Sequence, residues 1–153
     1  MRKKIIITIC ILLVICASFA KCVLDISKPS SSWDLDGVRG NLEYHWEEEL
    51  PDGGVLKYEI DNVGGFPMDG ATYAIIEYGE SKAIDSLYDW EPLDNDDKAK
   101  INALLDQLTV EEKDKPDYTN LRVYKKSRDD EGDELFIMSE KGSKVLFVVE
   151  NMY

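Results

Sequence analysis

Cysteine and histidine are scarce in this chain of 153 residues, which has three cysteines and one histidine. Cys10 and Cys16 lie inside an apolar run and Cys22 follows it, so the rest of the chain has no pair for an internal disulfide. A zinc site needs three or four Cys or His ligands, and only His45 and Cys22 are available. A Ser-His-Asp arrangement would depend on His45 alone, without a G-x-S-x-G motif. We therefore expect a packed core and no enzyme.

Basic residues are also few, because 18 Lys and Arg stand against 31 Asp and Glu, for a net charge of −13. Three of the basic residues, Arg2, Lys3 and Lys4, lie together at the N-terminus. The rest of the chain is therefore more acidic than the total indicates. Such a charge repels nucleic acid and anionic lipid, and it attracts a basic protein, a basic peptide or a divalent cation.

The one long hydrophobic run, residues 5–20, directly follows this basic cluster, as in a secretory signal peptide or a short membrane anchor. As a helix it would span about 24 Å, short of the ~30 Å hydrocarbon core, so a cleaved signal and an uncleaved transmembrane helix both stay open. Ser18 and Ala20 supply the small residues of a cleavage site and favour cutting after Ala20. Lipidation at Cys16 or Cys22 is a further alternative, although neither follows the small residue that a lipoprotein signal requires. Each alternative predicts an extracytoplasmic protein, secreted or anchored in the cell membrane by residues 5–20 alone.

The chain divides into three predicted parts. Residues 1–22 are the signal peptide or anchor, residues 23–40 are a tether rich in Ser, Asp and Gly, and residues 41–153 are a single domain. Apolar alternation with a period of two predicts strands, and apolar residues at helical spacing predict helices at 80–89 and 94–108. The predicted strands are 41–46, 55–60, 71–78, 120–126, 134–140 and 144–153. This order predicts an α+β fold in which a mostly antiparallel sheet has two helices inserted between its N-terminal and C-terminal groups of strands, with the helices on one face.

A long loop interrupts the first group of strands at residues 61–70, "DNVGGFPMDG". Hairpin loops usually take two to five residues, and longer loops often carry function. Its glycines permit positive φ, and the proline pushes Phe66 into an extended conformation. We predict a binding loop; the alternative is that Phe66 folds back over the end of the core. The residues of the predicted binding loop are Gly64, Gly65, Phe66, Asp69 and Gly70.

These loop residues, followed by "WEPL" at residues 90–93 and by the aromatic-rich closing hairpin, carry a resemblance to a known set of sequences. Over residues 55–150 the chain resembles short uncharacterised proteins of Gram-positive bacteria, secreted or anchored in the membrane. Their shared features are a Gly-Gly-Phe-x-x-Asp-Gly loop and a downstream Trp-x-x-Leu. Val63 and Met68 depart from the pattern, which often has His and Gly at those places. The resemblance implies a fold and no activity, and it assigns no catalytic residue.

The predicted tether holds two further candidate features. Asp34, Asp36 and Glu43 fall at positions 3, 5 and 12 of a spacing similar to that of an EF-hand calcium loop. We expect a domain without a cofactor, and this spacing makes bound calcium the alternative. Trp33 is the tryptophan that we expect to be exposed, where it could stack on a sugar.

The leading functional hypothesis is therefore a non-enzymatic extracytoplasmic domain. We expect it to bind a basic protein or peptide through its acidic surface and the loop at residues 62–70. The alternative is a module that binds cell-wall glycan or a divalent cation, and a small hydrolase is third.

Overall fold

The computed structural model describes residues 34–62, 70–128 and 132–153, all within one compact unit, Ser31–Tyr153. The described helices are α1 (Leu35–Asn41), a π-helix (Leu42–Trp46) that continues it, α2 (Lys82–Asp85), α3 (Asn95–Gln107) and two 3₁₀-helices, Glu112–Asp114 and Tyr118–Asn120. The described strands are β1 (Val55–Asp61), β2 (Gly70–Glu77), β3 (Glu91–Pro92), β4 (Leu121–Arg128), β5 (Asp133–Glu140) and β6 (Val145–Met152). The apolar run at residues 5–20, Trp33 and most of the 62–70 loop lie outside the described residues.

All six strands join one sheet in the order β1-β2-β6-β5-β4-β3, and every neighbouring pair is antiparallel. The predicted α+β class and the mostly antiparallel sheet are confirmed. The strands β4, β5 and β6 form two consecutive hairpins. β6 also pairs with β2, and this pairing joins the N-terminal strands to the C-terminal strands in one sheet. β1 and the two-residue β3 are the edge strands. No helix in the described part of the chain is long and apolar enough to cross a membrane.

One face of the sheet packs against α3. Asp94 begins this helix by accepting a hydrogen bond from the Asp97 amide at 2.8 Å, which satisfies one of the free N–H groups of the first turn. Ile101 and Leu105 are completely buried against Tyr73 and Phe136 of the sheet. The helix therefore forms where apolar spacing and an aspartate cap predict it.

The opposite face of the sheet is covered by α1 and the π-helix, so the expectation of helices on one face is wrong. Val38, Leu42 and Trp46 are buried there in a second core. A second layer is needed because β5 and β6 place apolar side chains on both faces of the sheet. The sheet residues of this second core are Ala74, Ile76, Leu135, Ile137, Leu146 and Val148.

The strand predicted at residues 41–46 is also wrong, because this segment closes α1 and forms the π-helix. Leu42 and Trp46 are 1% exposed, but Tyr44, which a half-buried strand would bury with them, is 80% exposed. The helix ends at Glu47, whose φ of 55° is left-handed, and Lys126 of β4 donates to the Trp46 carbonyl. Residues four apart lie on the same face in a strand and in a helix. An alternation of apolar and polar residues over only six positions therefore does not distinguish the two.

The N-terminal boundary of the folded part also differs from the predicted tether of residues 23–40. Asp34 accepts a hydrogen bond from the Gly37 amide at 2.9 Å and caps α1, and Val38 packs into the second core. Capping and apolar burial together support a helix despite its two glycines. The predicted helix at 80–89 is shorter than expected, since α2 covers only Lys82–Asp85.

Candidate binding site

The β1–β2 hairpin brings together the two ends of the 62–70 loop. The Asn62 amide donates to the Ala71 carbonyl at 3.1 Å, and the Ala71 amide donates to Oδ1 of Asn62 at 2.7 Å. Gly70 begins β2 and lies opposite Met152. The remaining residues of the predicted binding loop, Gly64, Gly65, Phe66 and Asp69, lie outside the described part of the chain. The described base of the loop is therefore fixed in the sheet at the end of β1.

The N–H and C=O groups of successive β1 residues point alternately toward β2 and toward the outer edge of the sheet. Along an antiparallel ladder, residue pairs joined by backbone hydrogen bonds alternate with pairs that are not. The bond from the Asn62 amide to the Ala71 carbonyl marks a hydrogen-bonded pair, so the neighbouring pair, Asp61 and Thr72, has no backbone hydrogen bonds between its members. The next pair of this kind is Glu59 with Ala74. The N–H and C=O groups of Glu59 and Asp61 therefore point away from β2, toward the outer edge of the sheet.

The side chains of the same two residues lie on the face that carries the second core, which is also the face of Thr72. Asp61 lies directly opposite Thr72, in the kind of pair in which side chains approach closely. Both carboxylate oxygens of Glu59, Oδ2 of Asp61 and Oγ1 of Thr72 are shielded from solvent and have no hydrogen-bond partner. Thr72 is 5% exposed. We call this group of Glu59, Asp61 and Thr72 the acidic corner.

The surroundings of Glu59 in the acidic corner raise the pKa of its carboxyl group. The pKa of Glu59 is raised to about 7, mainly by burial and further by the neighbouring carboxyl group of Asp61. The Glu59 carboxyl group therefore loses its proton near neutral pH. When it leaves, two carboxylates are close together with no cation beside them in the described structure. This arrangement attracts a cationic group.

A third acid, Glu150 of β6, lies directly opposite Thr72, but its carboxylate already accepts hydrogen bonds within the protein. Trp46 donates its indole N–H to Oε1 of Glu150, and Asn41 donates its side-chain amide to Oε2. Burial raises the pKa of Glu150 to about 6, although these two donors oppose the shift. Arg128 lies over the Trp46 ring, 5.4 Å from its centre. Glu150 thus holds the N-terminal helices on the sheet, and we assign it no ligand.

The tryptophans in the described part of the chain offer little surface for sugar stacking. Trp46 is 1% exposed. The Trp90 ring has the Arg122 guanidinium over one face at 4.8 Å and the Tyr88 ring against it at 5.5 Å. The cleft of about 610 Å³ beside Trp90 is lined by Arg122 and Lys141 among others. Trp33, which the sequence marks as the exposed tryptophan, lies outside the described residues.

The three carboxylates of the EF-hand-like spacing do not come together in a calcium loop. Asp34 caps α1, Asp36 lies in its first turn, and Glu43 lies in the π-helix, so a helix occupies the place of the turns that such a loop requires. Among the described residues, no group of three or more His, Cys, Asp or Glu side chains is arranged to hold a metal ion.

Comparison with protein-family models, with curated proteins and with solved structures finds no match for this chain. The geometry of the acidic corner is therefore the one observation that points to a binding site there. None of the three residues of the acidic corner was among those predicted for binding. A usable sequence signal exists, because alternation along β1 places Glu59 and Asp61 on one face beside the long loop.

Proposed function

We propose that this chain is a non-enzymatic extracytoplasmic domain that binds a basic protein or peptide at the acidic corner and the adjoining 62–70 loop. The observation that carries the proposal is the group of oxygen atoms without hydrogen-bond partners on Glu59, Asp61 and Thr72. The resemblance to secreted or anchored Gram-positive proteins and the basic cluster before residues 5–20 support its location outside the cytoplasm.

A cationic group is the ligand that these oxygen atoms fit. Buried polar groups without partners are costly, and a carboxylate without a partner is the most costly kind. An ammonium or guanidinium group would donate charge-assisted hydrogen bonds to the carboxylates and remove that cost. The net charge of −13 would also speed the approach of a basic partner at low ionic strength.

A divalent cation is the second candidate, because oxygen atoms are also the ligands that calcium prefers. The acidic corner offers two carboxylates and one hydroxyl, fewer than the ligands of a protein calcium site, so water would have to complete the shell. A basic partner requires no such additional ligands. Calcium therefore enters the experiment as a competitor.

The test is capture of partners by the tagged full-length chain from the cell envelope, with bound proteins identified by mass spectrometry. The Glu59→Gln/Asp61→Asn double variant removes both charges and keeps the shape of the corner. The matched control is Glu80→Gln/Asp89→Asn, because both residues are exposed and follow the opposite end of β2. We expect wild type and control to retain the same basic protein, and high salt to release it.

Two results would contradict the proposal. The first is equal capture by the Glu59→Gln/Asp61→Asn variant, which would place the binding surface elsewhere. The second is a calorimetric signal for calcium that disappears in this variant while basic proteins are never retained, which would favour the cation-binding candidate.

A further inference from the structure

We infer that the partner binds as an added β-strand along the outer edge of β1, and that a lysine of this strand places its ammonium group in the acidic corner. The inference rests on the proposed function and specifies its ligand, an extended peptide segment that carries a lysine.

Within the described ranges, the outer edge of β1 carries no further strand. β1 is the terminal strand of the sheet, and no strand in the described ranges pairs with it on the side away from β2. An edge strand presents N–H and C=O groups that a further strand can bond, and several peptide-binding domains use this mode. At Glu59 and Asp61 the alternation of the β1–β2 ladder turns these groups outward. The backbone at this end of β1 is therefore ready to form a further ladder.

The same two residues supply both the backbone groups and the carboxylates. A residue on an added strand has its side chain about 5 Å from the side chain opposite it, so a lysine there would reach Glu59 and Asp61. An ammonium group has three donors and no acceptor. The buried Oγ1 of Thr72, whose hydroxyl can accept, provides the third acceptor beside the two carboxylates. Arginine fits less well, because its planar group binds one carboxylate with two parallel bonds.

A second copy of the chain is a poorer occupant of this edge. Pairing two β1 strands would bring Glu59 and Asp61 of one copy near the same acidic residues of the other. Like charges placed opposite one another destabilise a pair of strands. Charged residues on edge strands are a known means by which proteins avoid pairing with themselves. Charge complementarity therefore selects a basic strand over an identical acidic one.

The test uses a library of acetylated heptapeptides on beads, built from β-branched and small polar residues with Lys, Arg, norleucine or Glu at the centre. The labelled full-length chain is the probe. We expect retention on lysine beads, and affinity about tenfold weaker or worse for norleucine at the same position. The Glu59→Gln/Asp61→Asn variant should lose this preference, whereas Glu80→Gln/Asp89→Asn should keep it. Thr72→Val, which retains both charges, should weaken lysine binding severalfold.

Backbone pairing is tested on a retained peptide by methylating one amide nitrogen at a time. Alternate amides of an added strand face β1, so methylation should weaken binding about tenfold or more at every second position and little at the others. Circular dichroism of each protein variant establishes that it is folded before binding is compared.

The outcomes separate this inference from the proposed function. Lysine selectivity that depends on Glu59 and Asp61, without alternation in the methylation series, would overturn strand addition and leave the acidic corner as the site. Retention that ignores the charge at the central position, or that survives Glu59→Gln/Asp61→Asn, would overturn both. Sedimentation of the unliganded chain as a dimer that basic peptides cannot separate would assign the edge to a second copy and overturn the inference.

Discussion

Trp46 of the π-helix donates its indole N–H to Glu150 of β6, and this bond joins the N-terminal helices to the sheet. Asn41 donates to the other carboxylate oxygen, so both oxygens of a buried acid are satisfied by one short segment. Glu150 is 2% exposed. The segment that appears from sequence to be partly a tether is therefore tied to the centre of the fold by a charge-assisted hydrogen bond.

We expect Trp46→Phe to destabilise the protein strongly. The substitution removes the donor to Glu150 and leaves a buried carboxylate oxygen without a partner, and it also opens a cavity in the second core. The two effects together should lower the free energy of unfolding by at least about 2 kcal/mol. Urea denaturation measures the change. Tyr44→Phe is the control, because Tyr44 lies in the same π-helix and is 80% exposed, so its effect should be within about 0.5 kcal/mol. Equal stability of the two variants would contradict this role of Trp46.

Glu150 also predicts how stability depends on pH. Its pKa is raised from 4.5 to about 6, so the folded protein holds a proton that the unfolded chain has released between these values. Stability therefore falls as the pH rises through this range, by about 2 kcal/mol for this group.

Glu150→Gln should remove this part of the pH dependence. The free energy of unfolding of variant and wild type is measured from pH 4 to 7. Between pH 4.5 and about 6, the wild type should lose stability relative to the variant as the pH rises. The Glu59 carboxyl, with its own raised pKa, contributes equally to both proteins and cancels in the comparison. A difference that stays constant across this pH range would show that Glu150 titrates as an ordinary exposed carboxyl group.

Binding of a basic peptide should depend on pH through Glu59. Burial and Asp61 raise the pKa of Glu59 to about 7, and an ammonium ligand requires the deprotonated carboxylate. Affinity for a lysine peptide should therefore rise between pH 6 and 8, with proton release on binding below pH 7. Calorimetry in two buffers of different ionisation enthalpy measures the released protons. Glu59→Gln should bind more weakly and without this pH dependence, and a pH dependence that persists in this variant would identify a different titrating group.

Sequence alone predicts those elements whose pattern is long enough to have one interpretation. The helix α3 has an aspartate cap and four apolar residues at helical spacing, and the strands β2, β5 and β6 are long apolar runs. The π-helix was missed because Leu42 and Trp46 share a face in both a strand and a helix, and the exposure of Tyr44 separates the two only in the folded structure. A signal for the second layer was present, since the continuous runs "LFIM" and "VLFVV" indicate strands buried on both faces.

The candidate site was harder to predict than the fold for a physical reason. Alternation places Glu59 and Asp61 on one face of a strand, but it does not say that β1 is at the edge of the sheet or that Thr72 lies beside them. The first fact depends on the pairing of β6 with β2, which joins residues 68 to 82 positions apart in the chain, and the second depends on the register between β1 and β2. The predicted loop and the acidic corner nevertheless adjoin, because Asn62 connects one to the other.

The charges on the outer edge of β1 predict the behaviour of the free protein. If Glu59 and Asp61 keep two copies from pairing through this edge, their replacement by an uncharged strand-forming residue should allow self-association. We expect Glu59→Thr/Asp61→Thr to form dimers or larger species whose fraction rises with protein concentration, as measured by sedimentation velocity. Glu80→Thr/Asp89→Thr removes the same charge away from the edge and should sediment like wild type, which distinguishes edge pairing from a general loss of solubility. If both variants associate equally, net charge and not the position of the two acids keeps the protein dispersed. If neither associates, the outward backbone groups of β1 are not available to another strand, and strand addition by a partner is contradicted as well.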